Sequence, residues 1–252
     1  GIEKDAEKKH DIQEVSNYRT ALRLAQEHLR EYPITLSFVL GLHKLLLSSV
    51  RGKNKSPGSF REVQNWIGLP GSPMEEAAFI PPSPLRVLEH MENWLEYIKR
   101  EDEDALLQTA IMHAQFEIIH PFEDGNGRIG RLLIPLFLYQ KKRLSQPMFY
   151  LSAYLEKHRD EYYRYLRAIS QKGDWNGWIH FFLQAVTEQA KSNIEKVNHI
   201  RELYERMKQR IQEATRSQYS VLVLDHLFNR PIFKTTDFVK EIGIKKATAM
   251  SI

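Results

Sequence analysis

The sequence predicts a mainly α protein with one β-hairpin and a small C-terminal helix-turn-helix or winged-helix-like domain. Apolar residues recur at helical spacing along most of the 252 residues. A single stretch, Arg51 to Pro84, concentrates Pro and Gly and holds the strand-like runs. From Tyr219 onward the pattern becomes helix, short turn, helix.

Taken in order, Ile12, Val15, Leu22 and Ala25 fit one helical stripe, and Leu36, Val39, Leu40, His43 and Leu47 fit a second. In the Pro/Gly-rich stretch, Val63 to Gly68 and Ala77 to Ile80 flank a turn and read as a small hairpin. Pro81, Pro82 and Pro84 stop it, and a helix begins near Pro84 or Leu85, where a first turn accepts Pro. Ala105, Leu106, Thr109, Ala110, His113 and Phe116 form a third stripe. Leu155 to Ile169 is aromatic-rich with a helical period, and Asn176 to Gln212 reads as one long helix or two. Tyr219 to Asn229 and Thr235 to Ile242 follow as helices, with Gly243 as a stop and a third helix from Lys245. The expected division is 1–100, an N-terminal helical region with the hairpin at about 60–82; 101–215, a core with a loop at 120–131; and 216–252, a C-terminal domain. Because the chain stops at TAMSI with no turn or cap, that last domain reads as truncated.

Composition narrows the chemistry. Apolar residues are 42% of the chain, enough for a substantial core. Net charge is +4, which suits a phosphate-bearing ligand without demanding nucleic acid. The absence of cysteine excludes disulfides, thiolate metal sites and cysteine nucleophiles, and points to a cytoplasmic setting. The charged start, GIEKDAEKKHD, has no signal-peptide core, and the apolar run Leu132 to Tyr139 is far shorter than the ~20 residues of a membrane helix.

The stretch HAQFEIIHPFEDGNGRIGRLLIPLFLY reads as two helices interrupted by a charged, glycine-rich loop. Gly125, Asn126 and Gly127 permit backbone angles that let successive amides form an anion-binding nest, and the following helix N-terminus favours anions too. Arg128 and Arg131 share a helical face and can fork onto phosphate oxygens. Asp124 is a hard oxygen ligand beside them, and Mg2+ characteristically takes one or two carboxylates plus substrate phosphates. His120 can take a proton from a hydroxyl near neutral pH. Each alone has a plain structural reading: a histidine on an apolar helix, a turn, a solvated arginine pair. Together they describe a phosphoryl- or nucleotidyl-transfer site.

HPFEDGNGRIGR resembles the Fic-domain signature, H-x-F-x-[DE]-G-N-G-R-x-x-R, at every specified position. FREVQNWIG with AAFIPPSP resembles the segment before that motif in the family, and YLSAYLEKHRDEYYRYL the helix after it, so the likeness covers roughly 11–190. The resemblance implies a helical Fic fold and an enzyme that transfers AMP from ATP to a Ser, Thr or Tyr hydroxyl of a target protein. It implies His120 as the base and Asp124 as the Mg2+ ligand. Gly125, Asn126 and Gly127 would cradle phosphates through their amides, with Ile129 and Gly130 counted beside them. Arg128 would meet the departing pyrophosphate and Arg131 the γ-phosphate. Phe122 would anchor the loop, and Tyr162 and Tyr163 would approach the adenine. Where the family often has an Asn further along this helix, the nearest match is Ser170. The hairpin would be a flap that holds the target as an added strand.

The family's inhibitory motif, [ST]-x-x-x-E-[GN], is not found in Gly1 to Tyr18; Glu3 has no Ser or Thr four residues before it. The sequence is therefore read as one from which that helix is cut, or whose N-terminus lies elsewhere, and transfer onto itself is expected to be faster than in a longer form. Control through a homodimer or a partner protein is the alternative. Transfer of UMP, phosphocholine or phosphate is a rival within the family; Gly127, where the phosphate-transferring branch has Lys, favours AMP. A DNA-binding regulator is a rival of another class, with Lys234, Lys240, Lys245 and Lys246 available to phosphates.

Overall fold

The structure, a computed structural model, describes residues 2–48, 55–68, 71, 73–101, 104–230 and 234–243, with side chains from Ile12 on. Contacts divide the chain into two compact units, 1–189 and 190–252.

The first unit is helical. It contains α1 (Ile2–His28), α2 (Leu36–Leu46), α3 (Val87–Lys99), α4 (Ala105–Ile119), α5 (Asn126–Gln140), α6 (Ser152–Lys157), α7 (Arg159–Lys172) and the start of α8 (Trp175–Thr215). α4 and α5 pack together at its centre, with α3 against α4 and α1 against α2. Every residue of α5 from Leu132 to Leu138 is buried, as a helix apolar on all sides must be. Pro135 lies inside this run and has no N–H to return to the carbonyl of Arg131, one turn back. Caps fix the start of two helices: the Thr35 side chain accepts from Phe38 N, and Asp104 accepts from Leu106 N and Leu107 N.

The buried face of α1 is not the stripe the periodicity suggests. Ala21, Leu22, Ala25 and Leu29 are inside, but Ile12 and Val15 are 64% and 61% exposed. What α1 meets sets its rotation. Glu14 lies 3.7 Å from Arg128 Nη1, and Asn17 donates to Ser48 Oγ across 3.2 Å, so the polar residues face inward there.

The expected hairpin is reduced, among the described residues, to one antiparallel bridge between Ile67 and Phe79. Ile67 N donates to Phe79 O at 2.9 Å and Ala78 N to Ile67 O at 2.8 Å. A 3-10 turn, Met74–Glu76, stands where strand would continue, and Pro81 and Pro82 supply no donors beyond the bridge. The rest of the expected turn, residues 69, 70 and 72, lies outside the described residues.

In the second unit α8 continues to Thr215, so 176–212 is one helix. α9 (Ser220–Asn229) and α10 (Thr235–Ile242) follow, and α10 ends at Gly243, whose φ is +72°. Phe238 packs edge-on against His226, and the Tyr204 hydroxyl donates to Asp225 across 2.6 Å. The third helix expected from Lys245 lies outside the described residues. Among the described residues no helix is long and apolar enough to cross a membrane.

Candidate active site

α4 ends at His120, which adopts a left-handed conformation, φ 50° and ψ 60°, while its N–H still bonds back to Phe116 O. A left-handed non-glycine residue costs ~1–2 kcal/mol. The bend is held from outside the helix. Arg61, only 2% exposed, donates Nε–H to the carbonyl of His120 at 2.9 Å. Its other guanidinium nitrogens reach the carbonyls of Val63, Pro82 and Ile119, and its main-chain N–H that of Pro121. One buried cation thus ties the flap's two ends to the end of α4. Arg61 has no carboxylate among these partners; the negative end of the helix dipole offsets its charge.

The His120 ring is set by one bond. Nδ1 lies 3.3 Å from the carbonyl of Glu117, which can only accept. Nδ1 therefore carries the proton, and Nε2 is the basic nitrogen. Burial, then the nearby Arg61 cation, pushes the imidazole pKa down from 6.5 to about 4. His120 is neutral at physiological pH.

Asn126 closes the loop. Its Oδ1 accepts from Phe122 N at 2.8 Å and its Nδ2 donates to Phe122 O at 2.7 Å. Phe122 is fully buried and stacks on His43, with ring centroids 3.7 Å apart and planes 9° apart. Gly125, at φ +84°, turns the chain into α5. Gly127 leaves room for Arg131, because a Cβ there would lie 2.9 Å from Arg131 Nη1. Arg128 Nη2 lies 3.1 Å from Asp124 Oδ2. Ile129 and Gly130 are buried in α5. A Cβ on Gly130 would sit 2.2 Å from Glu117 Oε1, so the Glu117 side chain of α4 packs directly on the bare backbone of α5 there.

A cavity of about 460 Å3 opens between the flap and α7. Ile67, Ala78 and Phe79 form one wall, Glu117 and Ile118 the floor, and Arg159, Tyr163, Arg167 and Ser170 the opposite wall. Tyr163 and Ser170 thus line it. Tyr162 lies behind that wall, buried, and its hydroxyl is 3.0 Å from His113 Nε2. His113 Nδ1 donates to Gly130 O at 3.2 Å, so Nε2 accepts from Tyr162. Burial pushes the His113 pKa down to about 3 and the Tyr162 pKa well up, which keeps both groups neutral. Glu117 is buried too, and burial raises its pKa to about 7, with Arg131 acting in opposition.

Sequence reasoning gave no role to Arg61 or Glu117 and saw His43 only as part of an apolar stripe. A charged residue directly after Phe60 was the available signal for Arg61.

Residues 33–138 match the Fic/DOC family. This stretch is similar to a Fic domain. Its sequence is 31% identical over 151 residues to the protein adenylyltransferase Fic of Aedes aegypti, spanning 59% of this chain and 27% of that one. It is 28% identical over 152 residues to the probable protein adenylyltransferase of Aquifex aeolicus, spanning 57% and 43%. The chain therefore spans less than half the length of these curated relatives. A Fic family protein from Desulfovibrio desulfuricans superposes with a TM-score of 0.61 at 27% identity, covering 74% of this chain and 54% of that one. The matched stretch includes α2 to most of α5, and with them the loop 120–131.

Proposed function

We propose that this chain transfers AMP from ATP to a Ser, Thr or Tyr hydroxyl of a protein. The observation that carries the reading is His120: a neutral imidazole with its Nδ1 proton committed to Glu117 O and Nε2 left basic, at the edge of a loop bearing Asp124, Arg128 and Arg131. The names of the similar proteins in Aedes aegypti and Aquifex aeolicus support it.

In this reading the base of ATP enters the cavity between Phe79 and Tyr163, where an aromatic wall offers stacking and Ser170 a hydroxyl. The phosphates lie along the loop, met by the amides after Gly125 and by Arg128 and Arg131. The target hydroxyl gives its proton to His120 Nε2 as its oxygen bonds to the α-phosphorus. The bond from that phosphorus to the bridging oxygen breaks, and pyrophosphate leaves beside Arg128. Arg131 would hold the γ-phosphate so that the leaving oxygen stays in line.

Asp124 fits a metal that arrives with the triphosphate. Its carboxylate is 44% exposed and stands beside Arg128. Among the described residues no group of three or more His, Asp or Glu could hold an ion alone. Mg2+, taken by one carboxylate and by phosphate oxygens, supplies neutralisation of the charge that builds on the phosphates. The flap would receive the target as an added strand beside Ile67 and Phe79. A cytoplasmic setting and DNA contact through the second unit go with this reading.

The test is incubation of the chain with α-labelled ATP, Mg2+ and a cell lysate. Labelled protein is expected from the wild type. His120→Ala should lose about 10²–10⁴ in rate while keeping ATP binding. Equal labelling by both would remove the reading.

A further inference from the structure

We propose that His43 is a positioning residue for Asp124, acting through a single peptide plane; the inference rests on the reading of Asp124 as the carboxylate that meets metal-bearing triphosphate. His43 is fully buried in α2, and both of its ring nitrogens are engaged. Gly58 N donates to Nδ1 across 2.9 Å. A main-chain N–H can only donate, so Nδ1 carries no proton. Nε2 therefore does, and it points at the carbonyl of Asp124, 2.9 Å away. The tautomer follows from the partners alone.

The peptide between Asp124 and Gly125 is trans, so its carbonyl and its N–H point in opposite directions. His43 holds the carbonyl. The N–H, on the far side, donates to Asp124 Oδ1 across 2.6 Å. Asp124 Oδ2 is left to Arg128 and, in the proposed reaction, to the metal. Rotation of that plane would break the His43 bond and the carboxylate bond together. His43 thus fixes the direction of a carboxylate it does not touch, as outer partners of metal ligands do. The stack on Phe122 holds the ring in place.

Two variants separate this role from packing, since both lose the stack. In His43→Gln the side-chain amide reaches the Nε2 position and can still donate to Asp124 O. In His43→Asn the amide oxygen reaches only the Nδ1 position and serves Gly58. Hydrogen exchange of the loop peptide 121–128 is measured on the whole chain without nucleotide, at equal intervals below each melting temperature. Exchange is expected to quicken about tenfold in His43→Asn and less than about threefold in His43→Gln, as the loss of one hydrogen bond requires. The Mg2+ concentration that half-saturates ATP binding, read by calorimetry, should rise about 10–100-fold in His43→Asn and stay within about threefold in His43→Gln. Equal loop exchange in the two variants, or none in either, overturns the proposal. If His43→Asn does not fold, His43→Gln decides: near-wild-type exchange supports the role and a tenfold rise ends it. A wild type that binds no ATP or labels no protein defeats the transferase reading, and the exchange pattern still decides the role of His43.

Discussion

Arg61 Nε and the carbonyl of His120 lie 2.9 Å apart although 59 positions separate them in sequence. The same guanidinium also serves Val63, Pro82 and Ile119. Arg61→Met would leave those carbonyls buried without a donor, at ~1–3 kcal/mol for each that water cannot reach. A loss on the order of 3–5 kcal/mol in urea unfolding is expected. Arg61→Lys should recover only part of it, because an ammonium cannot fork across a flap and a helix end. A variant as stable as wild type would show that the carbonyls find other donors.

The low pKa of His120 makes a kinetic prediction under the transferase reading. An imidazole that titrates at about 4 stays basic far below the ordinary 6.5. The rate of AMP transfer should therefore be flat from about pH 8 down to about pH 5, then fall with one proton. A fall centred near the ordinary histidine value would mean that the base is not buried in the working enzyme.

Stability should follow pH in a defined direction. The folded-state pKa of His113, about 3, is below its ordinary 6.5. As pH falls through that window the unfolded chain takes up the proton first, so stability present above the ordinary value is progressively lost. Glu117 acts in the opposite sense: its folded pKa is raised from 4.5 to about 7, so its contribution is present at low pH and lost as pH rises through about 7. Glu117→Gln removes that offset. The urea midpoint of this variant should drop more steeply between about pH 7 and pH 4 than that of wild type. Parallel curves would place the carboxyl in contact with water.

Tyr162 and Tyr163 should separate by assay. Tyr162→Phe leaves His113 Nε2 without its donor and should cost ~1–3 kcal/mol of stability. Tyr163→Ala, at a surface that is 37% exposed, should leave stability within about 0.5 kcal/mol. It should weaken ATP binding about tenfold or more if a base stacks there. The reverse pattern would exchange the two roles.

The loop could be read from sequence because its chemistry is contiguous: base, carboxylate, glycines and arginines lie within one turn and the first helical steps after it. Helical periodicity likewise gave most of the helices, since each buries one face against a neighbour. What escaped depends on distance along the chain. His43 meets Asp124 across 81 positions, so no local pattern could announce it. The tyrosine pair was legible in part. Tyr162, Leu166 and Ile169 share the buried face of α7, and Tyr163, Arg167 and Ser170 share the cavity face, both at helical spacing. Adjacent helical residues point about 100° apart, and here Tyr163 faces the cavity while Tyr162 faces the core. The rotation of α1 was hidden for another reason: the inward-facing partners of Glu14 and Asn17 are polar, and apolar periodicity does not register them.

A helix usually opens as a cooperative ladder, each rung bonding four residues back. In α5 Pro135 removes the rung that would end at Arg131. The turns bearing Arg128 and Arg131 are therefore joined to the buried run Leu132 to Leu138 by one fewer bond than a continuous ladder provides. The missing bond falls between the turns that carry the two arginines and the run that closes the core. Under the transferase reading, the hold on the phosphates and the hold on the interior are thus joined by a weaker stretch of backbone than the rest of α5.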